Sequence, residues 1–547
     1  MPLLPPDPLN PSCPNEAPAR PPALSMLAPG AARPGWHRTR RGVAALAIAL
    51  FAGGLLTTHG ETAQAKPRAA ARVSSATARL TQRAATVRGA APSEVAGPLP
   101  PAVTRALAAA RVPASSMTVL VERLSDGAQV LSYGASREVT PASTMKLYTT
   151  YAGLSILGPQ YRWQTAAFVD GPVVNGVLQG NLYIQGTGDP KLVPEQLSEL
   201  ITQIRQSGIN RIAGNLVLDK NYFDVSTRDL PPLDNAASAP YNVGPDALLY
   251  SFKALSFNVT PLPDGEVDVA VQPPLAQLRI DNTIHATRGR CTTTAAATPS
   301  LTSEPDGTLL ARFGGALPTA CGSQPVNLAV LDHTRFFAGG FLSLWQSQGG
   351  TFGGSVSEAP VPVAARLIAL HRSPPLDEIV NDINKFSNNV MARNLYLTIG
   401  AVGFKPPATP DGSARVIARW MRRSHIANDG LRIENGSGLS RDETTTAASM
   451  VSLLDHAYRS PVAQPFLASL PIAGVDGTMR HRLGNSDVMG QAHIKTGTLS
   501  NVRAIAGYVS AANGQTYAVA SFINDPRSEA ARAAHDALLE WIYRLPA

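Results

Sequence analysis

The sequence lacks several motifs that would identify common enzyme classes. Its ten histidines include no His-Glu-x-x-His pair, which disfavours a zinc peptidase. Gly186-x-Gly188 lacks the third glycine of a dinucleotide-binding turn, and no Walker motif is present. Gly436-Ser437-Gly438 is flanked by Asn435 and Leu439, where the nucleophile elbow of a Ser-His-Asp hydrolase has glycine. Any catalytic chemistry must therefore come from other residues.

Charged residues are also scarce, at 16% of the 547 positions, and the net charge of +8 is unevenly distributed. Residues 66–98 hold six basic residues and a single acid, Glu94, whereas residues 99–547 are close to neutral. A nucleic-acid-binding protein needs a basic face on a folded domain or an arm beside one. The sequence therefore predicts no nucleic-acid partner. The basic segment is better suited to peripheral contact with an anionic envelope surface.

The N-terminal apolar run, Gly42 to Leu56, is shorter than the roughly 20 residues that a transmembrane helix needs. It follows Arg40-Arg41 and precedes Ala63-Gln64-Ala65, which is typical of a secretory signal peptide cleaved after Ala65. We therefore predict export to the periplasm, with 1–65 as leader and signal peptide and 66–100 as a basic, Ala-rich tether. An uncleaved anchor is the alternative, and the start codon and export route stay open.

Cysteine is rare, with three residues in the chain. Cys13 lies in the leader, which leaves Cys291 and Cys321 for the folded part. Two cysteines in an exported protein suggest one disulfide. The alternative is two unrelated thiols, because free cysteine is readily buried. The sequence leaves this pairing open.

Glycine (45) and proline (46) are abundant, which favours a mixed or β-rich chain over a helical bundle. A length of 547 residues suggests two to four domains. Helical and strand patterns occur together in 101–160 and 363–547, whereas 161–362 shows short alternating runs between turns, with an inner module at about 255–330. We predict an α/β (α+β) fold in which one domain of antiparallel sheet and helices is split by two β-rich inserted domains.

Local patterns predict the elements of the split domain. Thr140-Pro141 should be the N-cap and first residue of a helix that ends at Gly158. A second helical stretch is predicted over Leu376–Leu397. The remaining predictions are strands, with Ser125-Asp126-Gly127 and Asn513-Gly514 as turns: Met117–Arg123, Gln129–Tyr133, Gln491–Thr496, Val502–Val509 and Thr516–Ile523.

The first candidate motif is Ser143-Thr144-Met145-Lys146. On a helix, residues i and i+3 share a face, so the lysine amine can reach the serine hydroxyl. Ser143 would be the third residue of the predicted helix, where unpaired backbone N–H groups suit an oxyanion. Lysine can act as base only if its pKa falls well below its usual value, through burial or a neighbouring cation. Lys495 is the candidate for that cation. Alone, the motif is weak.

Two further motifs complete the set. Ser387-Asn388-Asn389 supplies a hydroxyl that can relay a proton to a leaving amine and an amide that can orient lysine and substrate. Lys495-Thr496-Gly497-Thr498 ends a predicted strand, where glycine permits close approach of a ligand and lysine favours an anionic substrate end. The backbone N–H of Thr498 would be a second oxyanion donor.

The order Ser-x-x-Lys, Ser-x-Asn, Lys-Thr-Gly is that of penicillin-binding proteins and class A β-lactamases. Because 244 positions separate Ser143 from Ser387, the chain resembles the D-alanyl-D-alanine carboxypeptidase/endopeptidase family, the low-molecular-weight class C penicillin-binding proteins. That family has two β-rich domains inserted into a transpeptidase-like domain after the nucleophile helix. The resemblance covers roughly 101–547. Its secondary signatures are Gly186–Pro190, Asn435–Arg441 and Gly474–Met479.

Two positions depart from the family pattern. Asn388 stands between Ser387 and Asn389, and Asn435 stands before Gly436, where the family usually has aspartate. The family assigns the proton transfers to neither position. We therefore expect altered tuning of the site rather than lost activity.

The resemblance implies a serine-type D-alanyl-D-alanine carboxypeptidase that acts on peptidoglycan peptides through an acyl-enzyme. It also implies cleavage of D-alanyl–diaminopimelate cross-links and acylation by β-lactam antibiotics, without metal or organic cofactor. The residues to which it assigns catalysis are Ser143, Lys146 and Ser387. The residues to which it assigns substrate binding are Asn389, Lys495, Thr496 and Thr498.

Two alternatives remain at this point. A β-lactamase or esterase on the same fold would also carry the three motifs, although the long insertion disfavours it. A wall-binding scaffold with an inactive site would bind peptidoglycan without serine acylation. The sequence leaves open the balance of carboxypeptidase and endopeptidase activity, the role of the inserted domains, and whether the protein is a monomer or a homodimer.

Overall fold

The computed structural model describes residues 97–546. The predicted signal peptide and nearly all of the predicted tether lie outside this range. Within it, no helix combines the length and apolar character needed to cross a membrane. The described chain is a mixed α+β structure, which confirms the predicted fold class.

The described residues form ten α-helices and twenty-two strands. The α-helices are α1 (Pro101–Ala109), α2 (Lys146–Leu157), α3 (Pro194–Gln206), α4 (His333–Ser347), α5 (Leu376–Phe386), α6 (Asn389–Gly403), α7 (Pro410–Arg423), α8 (Ala447–Tyr458), α9 (Ala463–Ser469) and α10 (Arg532–Tyr543). The strands are β1 (Met117–Arg123), β2 (Ala128–Tyr133), β3 (Gln164–Val169), β4 (Val173–Val174), β5 (Val177–Leu178), β6 (Leu182–Gly186), β7 (Arg211–Ile212), β8 (Leu216–Asp219), β9 (Leu255–Pro261), β10 (Val267–Gln272), β11 (Leu278–Asn282), β12 (His285–Thr287), β13 (Ser300–Ser303), β14 (Leu309–Phe313), β15 (Ala316–Pro318), β16 (Gln324–Leu328), β17 (Thr351–Phe352), β18 (Val356–Glu358), β19 (Arg366–Arg372), β20 (Ala492–Leu499), β21 (Val502–Ser510) and β22 (Thr516–Asn524).

The main sheet joins the two ends of the described chain. Its antiparallel order is β2-β1-β22-β21-β20, so a strand from the N-terminal part pairs with one more than 390 positions later, as in Val121 opposite Val519. Successive residues of a strand point to opposite faces. Val119 and Val519 accordingly pack with α1 and α10, whereas Leu120 and Phe522 pack with α2, α6 and α8. Helices therefore cover both faces of this sheet.

The predicted hairpin and the three C-terminal strands are present, with small shifts at their ends. Gly514 has φ +79°, and Asn513 accepts a hydrogen bond from the N–H of Gln515, as the predicted Asn-Gly turn requires. β21 and β22 read as nearly continuous apolar runs because both of their faces are buried.

The inserted part has its own sheets and its own core. β3, its first strand, pairs antiparallel with β19, its last, in the five-stranded sheet β18-β8-β6-β3-β19. The entry and exit of the insertion therefore lie side by side, which lets a long insertion leave the main domain intact. This pairing continues to Arg372, ten residues beyond the predicted boundary at 362. The domain boundaries themselves stay a prediction.

Three small sheets occupy the inner part of the insertion, between β9 and β16. Their orders are β10-β9-β16, β11-β14-β13 and β12-β15. Phe257, Leu309 and Phe313 belong to the same buried cluster as the helices α3 and α4. The sulfur atoms of Cys291 and Cys321 lie 2.02 Å apart, at disulfide distance, in this region.

Replacing Leu395 by alanine should destabilise the helical layer that carries the site. Leu395 is fully buried on α6, and a Cβ at Gly153 of α2 would lie 3.0 Å from it. A cavity at such a position typically costs about 2–5 kcal/mol. Val402→Ala is the matched control, because Val402 lies on the same helix and is 40% exposed. Thermal unfolding should show a clear drop in Tm for Leu395→Ala only; equal drops would contradict this packing.

Candidate active site

Ser143 lies in a 3-10 turn, Ala142–Met145, and the α-helix α2 begins at Lys146. The predicted helix start at Thr140-Pro141 is therefore wrong. The residue in the cap position of this turn is Pro141, and no side chain caps it. The N–H of Thr140 donates to the side-chain oxygen of Asn524 at the end of β22 (2.8 Å). The serine therefore stands on a tight turn in front of the helix.

Two glycines allow other segments to approach this turn closely. A Cβ at Gly438 would lie 1.9 Å from the carbonyl oxygen of Ala142, and Gly438 has φ +83°. A Cβ at Gly497 of β20 would lie 2.8 Å from the carbonyl oxygen of Pro141. Both positions require glycine, because any side chain would push the loop or the strand away from Ser143.

Lys146 is completely buried, and its amine is the centre of the site. Its Nζ lies 3.0 Å from Ser143 Oγ, 2.6 Å from Asn389 Oδ1 and 2.5 Å from the carbonyl oxygen of Ser437. Burial holds the pKa of Lys146 well below its usual value, and the positive charge of Lys495 lowers it further. A neutral amine at this distance can accept the proton of the serine hydroxyl.

Ser387 lies at a break between α5 and α6, so the predicted continuous helix over Leu376–Leu397 is wrong. Ser387 adopts a left-handed conformation (φ +57°, ψ +36°), and Asn388 accepts a hydrogen bond from the N–H of Met391 to cap α6. Asparagine and aspartate cap helices about equally well. The departure from the family pattern at Asn388 therefore leaves the backbone of the motif in place.

Asn389 connects the buried lysine to the inserted part of the chain. Its Oδ1 accepts from Lys146, and its Nδ2 donates to the carbonyl oxygen of Tyr241 (3.0 Å). The buried Arg393, one turn later on α6, donates to the carbonyls of Asn242 and Val243 and fixes the same loop. Sequence reasoning missed this loop, because only the three-dimensional structure brings it to α6.

Lys495 forms a second buried lysine–serine pair beside the first. Its Nζ donates to Ser387 Oγ and to the carbonyl oxygen of Thr496, both at 2.8 Å. Burial lowers the pKa of Lys495 to about 7. Thr496 is half-buried, and Thr498 is exposed near the end of β20. The structure thus brings all seven predicted residues to one region around two lysine–serine pairs.

Glu443 is a buried carboxylate that sequence reasoning did not identify. It organises the loop that meets Lys146 by accepting four backbone N–H bonds at 2.8–3.1 Å, from Glu434, Asn435, Gly436 and Gly438. Burial raises the pKa of Glu443, whereas these bonds act in the opposite direction. Its negative charge raises the pKa of Lys146 and so opposes the effect of Lys495.

Asn435, the second departure, uses both ends of its amide. Its Oδ1 accepts from the N–H and the hydroxyl of Ser437, and its Nδ2 donates to the carbonyl oxygen of Leu439 (2.9 Å). An aspartate could not donate the last of these bonds. Asn435 therefore helps to hold the carbonyl of Ser437 against Lys146.

Comparison with known proteins gives a consistent result. The model of the D-Ala-D-Ala carboxypeptidase 3 (S13) family matches residues 100–545. A D-alanyl-D-alanine carboxypeptidase of Actinomadura sp. (strain R39) is 31% identical over 417 residues, which are 73% of this chain and 76% of that protein. The D-alanyl-D-alanine carboxypeptidase DacB of Haemophilus influenzae is 26% identical over 421 residues, 75% of this chain and 85% of its own.

The fold has a solved counterpart as well. The crystal structure of penicillin binding protein 4 (dacB) from Haemophilus influenzae superimposes with a TM-score of 0.66 at 24% identity. It covers 80% of this chain and 99% of that one. At this identity the likeness supports the fold, which is the penicillin-binding, transpeptidase-like one that the motif order indicates.

Replacing Glu443 by glutamine should shift the pH dependence of Ser143 acylation. The substitution removes a negative charge that raises the pKa of Lys146, so the pKa should fall further and the acidic limb of the pH–rate profile should move to lower pH. The plateau rate should drop about tenfold, because the new N–H group faces backbone donors.

The control for this shift is Glu434→Gln, an exposed carboxylate of the same loop that does not act on the pKa of Lys146. Its acidic limb should stay in place. If Glu443→Gln reduces the rate without moving the acidic limb, the carboxylate has a structural role and its charge does not shift the pKa of Lys146.

Proposed function

The chain belongs to the D-Ala-D-Ala carboxypeptidase 3 (S13) family, and on that premise we propose how the site around Ser143 carries out a serine-type D-alanyl-D-alanine carboxypeptidase reaction. The observation that carries the proposal is the buried amine of Lys146, 3.0 Å from Ser143 Oγ, next to a second lysine–serine pair. Peptidoglycan stem peptides are the substrate class.

Acylation begins when neutral Lys146 takes the proton of Ser143. The serine oxygen attacks the carbonyl carbon of the penultimate D-alanine, and the backbone N–H groups of Ser143 and Thr498 stabilise the oxyanion. Ser387 relays a proton to the amine of the departing D-alanine, and this proton is replaced by the one held on Lys146. The C–N bond then breaks, which leaves an ester on Ser143 and a neutral Lys146.

Deacylation repeats the proton transfers with water as nucleophile. Lys146 accepts a proton from water, the hydroxide oxygen attacks the ester carbon, and the serine oxygen leaves with that proton. Asn389 holds Lys146 through its Oδ1, and its Nδ2 carries a second N–H that remains for the substrate backbone, since the first goes to Tyr241. Lys495 and Thr496 bind the terminal carboxylate.

The same acyl-transfer chemistry extends to two related reactions. A D-alanyl–diaminopimelate cross-link presents the same carbonyl with a different leaving amine, which makes the protein a D,D-endopeptidase. β-Lactams present a strained amide and an anionic group to the same residues, and they acylate Ser143. Slow loss of this acyl group distinguishes a penicillin-binding protein from a β-lactamase.

The predicted signal peptide, cleaved after Ala65, supports export to the periplasm. In that oxidising compartment the close sulfur atoms of Cys291 and Cys321 would form a disulfide. The basic segment 66–98 would contact an anionic envelope surface. Homodimerisation stays a prediction without further support.

Mass spectrometry after exposure to penicillin tests the reaction. The intact wild-type protein should gain the mass of one penicillin, and peptide mapping should place it on Ser143. Ser143→Ala should gain none and should release no D-alanine from a D-alanyl-D-alanine peptide. An unmodified wild-type protein would sink the proposal, and rapid loss of the adduct would indicate a β-lactamase.

Removing the charge of Lys495 should move the pH profile opposite to Glu443→Gln. Lys495→Met eliminates a cation that lowers the pKa of Lys146, so that pKa should rise and the acidic limb of acylation should move to higher pH. Lys495→Arg keeps the charge and should leave the limb close to the wild-type position. A limb that does not move in Lys495→Met would show that the charge of Lys495 has no effect on the pKa of Lys146.

A further inference from the structure

The segment Pro471–Met479 lies against the outer edge of β20, and the mechanism above does not use it. Ala473 donates to the carbonyl of Ala492, and Ile494 donates to the carbonyl of Pro471, at 2.9 and 2.7 Å. This pairing covers the first half of the edge strand. It stops before Lys495, where the structure records no further backbone pairing on that side among the described residues. The segment therefore ends where the proposed carboxylate subsite begins.

An ion pair ties this segment to the helix that leads to Ser387. Lys385, two positions before Ser387, is 8% exposed, and its Nζ contacts both carboxylate oxygens of Asp476 at 2.9 and 2.7 Å. It also donates to the carbonyl of Leu470 (2.6 Å), and Asp476 accepts from the N–H of Ile472 (2.8 Å). The end of α5 and the segment therefore hold a fixed separation.

Thr478 follows the Lys385–Asp476 ion pair in a short 3-10 turn, Gly477–Met479. The turn is fixed on both sides: a Cβ at Gly477 would lie 2.7 Å from the carbonyl oxygen of Lys385, and Met479 is fully buried. Thr478 itself is exposed, and its Oγ1 lies 2.8 Å from Oγ1 of Thr496. The structure thus places a second hydroxyl beside the one assigned to the carboxylate.

The number of hydrogen-bond donors left over on Thr478, Thr496 and Lys495 suggests a function for the pair of threonine hydroxyls. Two hydroxyls that share one hydrogen bond have one proton between their oxygens and one proton left over, whichever residue carries it. In its protonated form Lys495 likewise has three N–H donors, of which two are used by Ser387 and Thr496. One O–H and one N–H are therefore left over on groups that both contact Thr496, and two such donors suit the two oxygens of a carboxylate.

We propose that Thr478 is a further residue of the terminal-carboxylate subsite, and that with Thr496 it determines the preference for an anionic substrate end. The Lys385–Asp476 ion pair positions it. This inference rests on the proposed function. It predicts that loss of the Thr478 hydroxyl weakens reaction with carboxylate-bearing ligands and spares ligands that lack the carboxylate.

The test compares acylation of Ser143 by benzylpenicillin and by its methyl ester, which share the reactive ring and differ at the carboxylate. Thr478→Val keeps the shape of the side chain and removes the hydroxyl. It should lower the rate constant for the acid by about tenfold to a hundredfold, the range for a hydrogen bond to a charged group, and leave that for the ester nearly unchanged. Thr478→Ser should restore the acid-to-ester ratio.

Two further variants sharpen the result. Thr202→Val, on an exposed position of α3, is the matched control and should keep the wild-type ratio. Lys385→Met removes the ion pair and should lower the ratio in the same direction as Thr478→Val. A reduced ratio in Thr478→Val with a wild-type ratio in Lys385→Met would overturn the positioning role of the ion pair.

The outcomes separate this inference from the proposed function. If neither compound acylates the wild-type protein, the proposed function fails. If the wild type prefers the acid and Thr478→Val keeps that preference, the assignment of Thr478 alone is wrong. Equal losses for acid and ester would also overturn it, because they would mean that Thr478 supports the fold of the site rather than the carboxylate.

Discussion

The site depends on the burial of the Lys146 amine, at a position where a positive charge is poorly solvated. Lys146 has no exposed surface, so water cannot stabilise its charge, and a second buried lysine nearby adds repulsion. Both effects favour the neutral amine that a serine nucleophile needs. Three oxygen atoms around Nζ keep the amine hydrogen-bonded, and without them a buried polar group would be costly. The same three contacts thus keep the amine of Lys146 ready to act as a base and compensate for its burial.

The main sheet explains how distant parts of the chain reach this lysine. Ser143 precedes α2, Asn389 begins α6, Ser437 lies in a loop, and Lys495 lies on β20. β1 pairs with β22, and β21 pairs with β20, so both ends of the chain are held in one sheet. The insertion leaves and returns through the adjacent strands β3 and β19 and does not separate these parts. It also contributes the Tyr241 carbonyl that orients Asn389.

The sequence was sufficient where short-range patterns carry the information. The three motifs, the hairpin, the C-terminal strands and the split arrangement of the sheet follow from spacing and period. The helix start at Thr140 and the continuous helix through Ser387 were predicted wrongly. The N–H of Thr140 instead bonds to the distant Asn524, and Ser387 adopts a left-handed conformation before Asn388 caps α6. Glu443 and Tyr241 were missed because each acts on a residue far away in the sequence, Lys146 and Asn389 respectively. Thr478 lies within the signature Gly474–Met479, but only the structure brings its hydroxyl to that of Thr496.

The two asparagines that depart from the family pattern keep the structure of the site, and the charge that acts on Lys146 comes from another residue of the loop. Asn388 still caps α6, and Asn435 still fixes the Ser437 carbonyl, through bonds that an amide supplies. With Asn435 neutral, Glu443 is the carboxylate of this loop whose charge raises the pKa of Lys146. Glu443 is fully buried, and four backbone N–H groups hold it. Burial is the largest influence on the pKa of Lys146, and the cations Lys495 and Arg393 lower that pKa whereas the fixed anion Glu443 raises it. The balance of these charges, superimposed on burial, sets the pH at which the serine becomes reactive.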